Sequence, residues 1–177
     1  MSDADPTLSH MFQTHRQGLA GAVRSVLGGS ADVTEVLQEA FLKCWRNWQQ
    51  GTRPNDLAAW IFVVVWNVAV DVRRRRRRRP IHETLDEALT VTPNTLPSPT
   101  HAIEQREDVA LAQAAVAGLS GPEQQVFLMR VGGDLTFEAV ARALAIPVGT
   151  AKTRMRSALQ KLRQTLGAGV KSAESKR

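Results

Sequence analysis

The stretch Leu135-Thr136-Phe137-Glu138-Ala139-Val140-Ala141-Arg142-Ala143-Leu144-Ala145-Ile146-Pro147-Val148-Gly149-Thr150-Ala151-Lys152-Thr153-Arg154-Met155-Arg156 decides the fold of this 177-residue chain. Thr136 suits the N-cap of a short helix, and Leu135 before it can staple onto Val140. Pro147 is excluded from a helix interior but suits a first turn, so a second helix starts there. From that point Val148, Ala151, Met155, Leu159, Leu162 and Leu166 recur at helical spacing and make one buried stripe. Gly149, Lys152, Thr153, Arg156 and Ser157 fall on the other side. A helix-turn-helix offers such a face to the DNA major groove, where Arg and Lys meet guanine acceptors and phosphates. A solvated basic helix would show the same pattern, so the rest of the chain must decide.

Composition points to an all-α protein. Ala, Leu, Arg and Gln are abundant, Tyr is absent, and no alternating run makes a sheet. The net charge of +6 is unevenly spread. Residues 1–72 carry −2, residues 73–79 are seven consecutive Arg, residues 80–118 carry −5, and residues 119–177 carry +6. Two basic blocks separated by an acidic stretch fit a polyanion gripped at two places. The single Cys44 falls in an apolar helical stripe and excludes an internal disulfide. His10, His15, His82 and His101 have no metal-ligand spacing, and no cofactor or metal is expected. The start, Met1-Ser2-Asp3-Ala4-Asp5, is acidic and polar, unlike a secretory signal. The longest apolar run, Trp60 to Trp66, is too short to span a bilayer. A cytoplasmic location without membrane insertion follows as the expectation.

Along the chain, residues 7–27 read as one helix stopped by Gly28-Gly29. Ser30 can cap a second helix running to about Trp48, with Asp32 and Glu35 at its positive end. Its outer side carries Glu35, Gln38, Glu39, Leu42, Lys43 and Arg46. Asp56 can cap a third helix from Leu57 to about Arg76. Its middle, Ile61-Phe62-Val63-Val64-Val65-Trp66, alone would pass for a buried strand, but Leu57, Ile61, Val64, Val68 and Val72 keep helical spacing. Trp60, Asn67 and Asp71 fall within roughly 40° of one another on that helix. An aromatic, an amide and a carboxylate on one face suit unpaired bases, although spacing alone favours Trp60 as core and Asn67 as merely exposed. Arg73–Arg79 needs a counter-charge, and phosphate supplies one.

Residues 80–101, with Pro93, Pro97 and Pro99 among Thr, Asn and Ser, read as an acidic flexible linker. The expected organisation is two small helical domains, 1–79 and 102–177, on either side of it. The second opens with a helix from about Ala102 to Ala117. Ser120-Gly121-Pro122-Glu123 is a capping-box pattern that starts another, ended by Gly132-Gly133. After Leu166, Gly167-Ala168-Gly169 and the polar end are expected to fray.

Three pieces, in order, resemble the extracytoplasmic-function (ECF) group of sigma-70 family sigma factors, the promoter-recognition subunits of bacterial RNA polymerase. The first is Ala31-Asp32-Val33-Thr34-Glu35-Val36-Leu37-Gln38-Glu39-Ala40-Phe41-Leu42-Lys43-Cys44-Trp45-Arg46, which is similar to the family's second region. Ala59-Trp60-Ile61-Phe62, Asn67-Val68-Ala69-Val70-Asp71 and the Arg run resemble its melting and −10-reading part. Leu119-Ser120 to Glu123, Val126-Phe127-Leu128, Thr136-Phe137-Glu138 and Ile146 to Arg154 resemble its fourth region. Ala145 stands where the family usually has Gly in the helix-turn-helix break, and Trp66 where a basic residue is common.

The resemblance implies a non-catalytic specificity subunit whose partners are core RNA polymerase and promoter DNA. Asp32, Glu35, Gln38, Glu39, Leu42 and Arg46 would meet the β′ clamp helices, and the second domain would meet the β flap. Trp60, Asn67 and Asp71 would engage the −10 element, with Arg73, Arg74 and Arg76 on nearby backbone. Lys152, Thr153, Arg156 and Ser157 would enter the −35 major groove, while Thr150 and Arg154 would position the helix on phosphate. An anti-sigma factor is a further partner that the linker permits. The competing reading is a stand-alone helix-turn-helix regulator using only the C-terminal half, which leaves the first two pieces unexplained. An enzyme acting on nucleic acid is disfavoured, because no carboxylate cluster, phosphate-cradling Gly loop or nucleophile with a base partner is present.

Overall fold

The computed structural model describes residues 6–28, 33–78 and 109–174, with side chains as far as Gly167. These residues form helices and turns, with no strand among them. The helices are α1 Pro6–Thr14, α2 Arg16–Leu27, α3 Val33–Gln49, α4 Leu57–Arg78, α5 over residues 109–117, α6 Gly121–Gly132, α7 Phe137–Ala143 and α8 Val148–Glu174. Ser30, Asp32, Arg79 and the 80–101 linker lie outside the described residues.

Helices α1 to α4 form the first bundle. The single helix expected over 7–27 is broken at His15, whose φ of −98° and ψ of 11° leave the helical region. The break is shallow, since His15 N–H still reaches Met11 O at 3.1 Å and Leu19 N–H reaches His15 O at 2.9 Å. Gly28 ends α2 in the left-handed region (φ 74°) and donates to Arg24 O, as its missing Cβ allows. Asp56 Oδ1 accepts from Ala59 N–H at 2.9 Å and so caps α4. Leu8, Leu19, Val23, Val26, Val36, Ala40, Cys44, Ile61, Val65 and Val68 are fully or nearly fully buried between these helices. Phe12 and Phe41 meet edge to face at 5.1 Å. The β-branched run of α4 is therefore a helix buried on most of its circumference, and Trp66 packs inward with it. Burial pushes the Cys44 thiol up to about 12, because a thiolate there would lose its hydration.

Helices α5 to α8 form the second bundle, around Val126, Met129, Val140, Ala151, Ala158 and Leu162. The expected capping box is formed, with Ser120 N–H donating to Glu123 Oε2 at 3.0 Å. Helix α8 does not stop near Leu166 but runs to Glu174. Gly167 and Gly169 each cost about 1 kcal/mol in a helix, and no proline or left-handed cap is present there to end it. Leu166, expected in the buried stripe, is 39% exposed because α8 has run past its neighbours by then.

The two bundles are in contact: α2 packs on α6, and α4 on both α6 and α7.

Candidate nucleic-acid interface

The turn between α7 and α8 is built from local chemistry. Thr136 Oγ1 accepts from Ala139 N–H at 3.1 Å and caps α7. At the far end Ile146 N–H reaches back to Ala141 O at 3.0 Å and Ala145 N–H to Arg142 O at 3.2 Å. This nested pair is a Schellman motif, which needs a left-handed residue. That residue is Ala145, at φ 52°. Its Cβ is crowded there, so Ala145→Gly is expected to raise stability by about 1 kcal/mol, read as a shift in the urea midpoint with unchanged slope. A lower midpoint would show that the alanine methyl contributes packing that outweighs the strain. Pro147 O then accepts from Ala151 N–H at 3.1 Å, so Pro147 stands just before α8, where its missing N–H costs nothing.

Ala151 and Ala158 anchor α8 with no exposed surface. This leaves Lys152, Thr153 and Arg156 on the outer face, all exposed. Thr153 Oγ1 donates to Gly149 O at 2.9 Å, which parks the hydroxyl on its own helix. Lys152 Nζ stands 6.0 Å from the centre of the Phe137 ring. Thr150 and Arg154 are half-buried at the flanks. Arg130 donates to Leu135 O and lies 4.7 Å over the Phe137 ring, bracing the turn that leads into α7.

Ser157 departs from the groove-facing set. Its Oγ donates to Glu123 Oε1 at 2.6 Å, and Lys161 Nζ lies 2.8 Å from both Glu123 oxygens. Ser120 Oγ donates to Oε2 at 2.7 Å. Glu123 is only 8% exposed, and a buried carboxylate recruits every donor in reach, which turns Ser157 inward. The Lys161 ammonium, then the Ser157 and Ser120 hydroxyls, and lastly the Ser120 N–H hold the Glu123 carboxyl at about 2, against the opposing effect of burial. The sequence marked Glu123 only as a capping residue. Its second role, tying α8 to α6, depends on partners 34 and 38 residues away, which leave no spacing signal.

On α4, Asn67 and Asp71 are exposed on one face. Asp71 pairs with Arg74 at 3.8 Å, one helical turn on. Trp60 is not part of that open face. It is half-buried in a cleft with Pro54, Ala59 and Val63 on one side and Ala139, Arg142 and Ala143 of α7 on the other. Arg73 is half-buried, and Arg74 and Arg76 are exposed.

On α3, Glu35, Gln38, Leu42 and Arg46 are exposed, and Leu42 shows 47% of its surface. Beside them Phe12, Leu37 and Phe41 floor a shallow apolar groove. Glu39 is half-buried and already paired with Arg75 at 3.2 Å. In the sequence Arg75 is one of seven consecutive arginines, and its partner lies 36 residues away on another helix. Among the described residues, no group of three His, Cys, Asp or Glu could hold a metal ion, and no helix is long and apolar enough to cross a membrane.

Comparison with known proteins gives this geometry its context. The family model for sigma-70 region 2 matches residues 11–79, and that for sigma-70 region 4 matches residues 115–164. The ECF RNA polymerase sigma factor RpoE of Cereibacter sphaeroides is 31% identical over 90% of this chain and 86% of its own. The ECF RNA polymerase sigma factor SigL of Mycobacterium tuberculosis is 28% identical over 88% of this chain and 86% of its own. Among solved structures, the fold matches the sigma factor RpoE bound to the anti-sigma factor NepR from Bartonella quintana. That match has a TM-score of 0.67 and 17% identity, over 92% of this chain and 98% of the other. CnrH in complex with the cytosolic domain of CnrY matches at a TM-score of 0.63 and 22% identity, over 91% and 88% of the two chains. With both family regions present in order and a relative above 30% identity along nearly its whole length, the chain belongs to the ECF group of sigma-70 family RNA polymerase sigma factors.

Proposed function

We propose that this chain binds core RNA polymerase through the outer side of α3 and directs it to promoters read by α4 and α8. Region 2, over residues 1–79, would dock on the β′ clamp helices by Glu35, Gln38, Leu42 and Arg46, with Asp32 beside them. Asn67 and Asp71 would engage the −10 element as its strands part, joined by Trp60 once its cleft opens. Arg73, Arg74 and Arg76 would lie along the adjoining backbone. Region 4, over residues 102–177, would meet the β flap and set Lys152, Thr153 and Arg156 against −35 bases, with Thr150 and Arg154 on phosphate. Residues 80–101 would connect the two regions. The subunit has no catalysis of its own in this reading and works in the cytoplasm with the polymerase. An anti-sigma factor is a further partner, in keeping with the RpoE–NepR complex whose fold it shares.

The observation that carries the reading is the exposed Lys152-Thr153-Arg156 face on a braced helix-turn-helix, preceded in one chain by an exposed Asn67 helix ending in arginines. A stand-alone regulator would leave α3 and α4 without a role. Run-off transcription from a pool of random promoters with core polymerase tests it, and failure to bind core polymerase in a pull-down overturns it. Within that assay Arg156→Ala is expected to lose about 1–3 kcal/mol of discrimination at one −35 position. A uniform loss across all sequences would instead identify Arg156 as a phosphate contact.

A further inference from the structure

The hydroxyl of Thr153 is turned back onto its own helix. Its Oγ1 donates to Gly149 O at 2.9 Å, one turn earlier in α8. A β-branched side chain is stiff at χ1, and this bond selects one of the rotamers open to threonine in a helix. The hydroxyl has a single proton, and that proton is already engaged. Thr153 is nevertheless exposed, so the group left to meet a ligand over α8 is its methyl, Cγ2. At about 100° per residue, Gly149, Thr153 and Arg156 fall within roughly 60° of one another on the outer face. Nothing lies within 4 Å of the place a Gly149 Cβ would take, so the surface one turn before Thr153 is an open step. Lys152 turns its ammonium toward the Phe137 ring of α7, at 6.0 Å from the ring centre. The centre of the recognition face is thus a small apolar spot beside open space, with cations at its margins.

Of the base edges in the major groove, one has an apolar group to match, the C5-methyl of thymine. The others present ring and carbonyl acceptors or amino donors. Acceptors gain nothing from a hydroxyl whose proton is held elsewhere. We propose that Thr153 is a specificity-determining residue that reads a thymine of the −35 element, methyl against methyl. Its hydroxyl serves to fix the rotamer, and Gly149 leaves room for the base to approach. This rests on the sigma-factor reading and names the base chemistry of its α8 site. The discrimination comes from removing apolar surface from water, so it depends on the 5-methyl group of the base and on no hydrogen bond.

The test uses the full chain with core polymerase on a promoter duplex recovered from the run-off pool. Each −35 thymine, on either strand, is replaced in turn by deoxyuridine, which removes the 5-methyl and keeps every hydrogen-bonding group. One replacement is expected to weaken wild-type binding about two- to fivefold, the size of one buried methyl group. Thr153→Ser keeps the hydroxyl and loses the methyl, and should bind the thymine and deoxyuridine duplexes equally. Thr153→Val keeps a methyl and loses the hydroxyl, and should retain the wild-type ratio. Thr153 is exposed, so neither change threatens the fold. The proposal is overturned by wild-type indifference to deoxyuridine at every position, or by an effect that persists in Thr153→Ser. It is equally overturned by a −35 element made wholly of G·C pairs. A base preference kept by Thr153→Ser and lost in Thr153→Val would assign the reading to the oxygen as acceptor and overturn it too. Failure of the wild type to bind core polymerase would overturn the sigma-factor reading and this contact with it. A holoenzyme that transcribes but ignores deoxyuridine overturns the thymine contact alone.

Discussion

Glu123→Ala is expected to destabilise the region 4 bundle by about 2–3 kcal/mol and to weaken −35-dependent transcription more than core binding. The estimate combines a lost N-terminal cap, about 1 kcal/mol, with the loss of charge-assisted hydrogen bonds from Ser120 and Ser157, about 1.5–3 kcal/mol before overlap. The Lys161 pair adds little, since its ammonium is half exposed. The carboxyl sits at about 2 in the folded chain, below the roughly 4.3 of an unfolded glutamate. Its contribution is therefore complete above about pH 4.3 and fades as pH falls toward 2. Urea titrations between pH 6 and 2 should show a steeper acid loss for wild type than for Glu123→Ala. Parallel curves would mean that Glu123 is not ionised against these donors. Glu123→Gln, which can still accept from Ser120 N–H, should fall between the two.

Ile61→Ala is expected to cost about 2–5 kcal/mol, the largest effect of any single substitution considered. Ile61 is 1% exposed in the first turns of α4, which α2 and α3 pack against, so removing its side chain leaves a cavity in the first bundle. Urea unfolding followed by circular dichroism would read the shift. A cost below about 1 kcal/mol would place Ile61 at a yielding site, contrary to its burial. The variant should leave the −35 preference of the surviving folded protein unchanged, because α8 packs chiefly on α6 and α7.

What could be read from the residues was whatever local chemistry dictates. Thr136, Asp56 and the Ser120–Glu123 box announce their helices because a cap bonds within three residues of itself. The α8 stripe is legible because helical spacing needs no partner to be seen. The strand-like Ile61–Trp66 run was resolved as helix only by its flanks. The losses share one cause, which is pairing at long range. Glu123 with Lys161, Glu39 with Arg75, and Gln124 with Ser25 are each separated by tens of residues, with no periodicity linking them. The angular position of Ser157 on α8 fits the groove, and only the buried carboxylate opposite shows why it turns away. The shallow break at His15 has no Gly or Pro to announce it. Helical rotation alone sets Trp60 near Asn67, whereas its surroundings depend on where α7 comes to rest.

The buried Cys44 has a practical and a physiological consequence. A thiol sealed in the first bundle, with its proton held up to about 12, is nearly all unreactive toward oxidants and maleimides at neutral pH. Cys44 is therefore shielded from oxidation while the first bundle stays folded. The wild-type chain is in effect a thiol-silent background. A pair of cysteines introduced on the outer faces of α3 and α8 could take up dyes without mutating Cys44, turning the distance between the two bundles into a fluorescence signal.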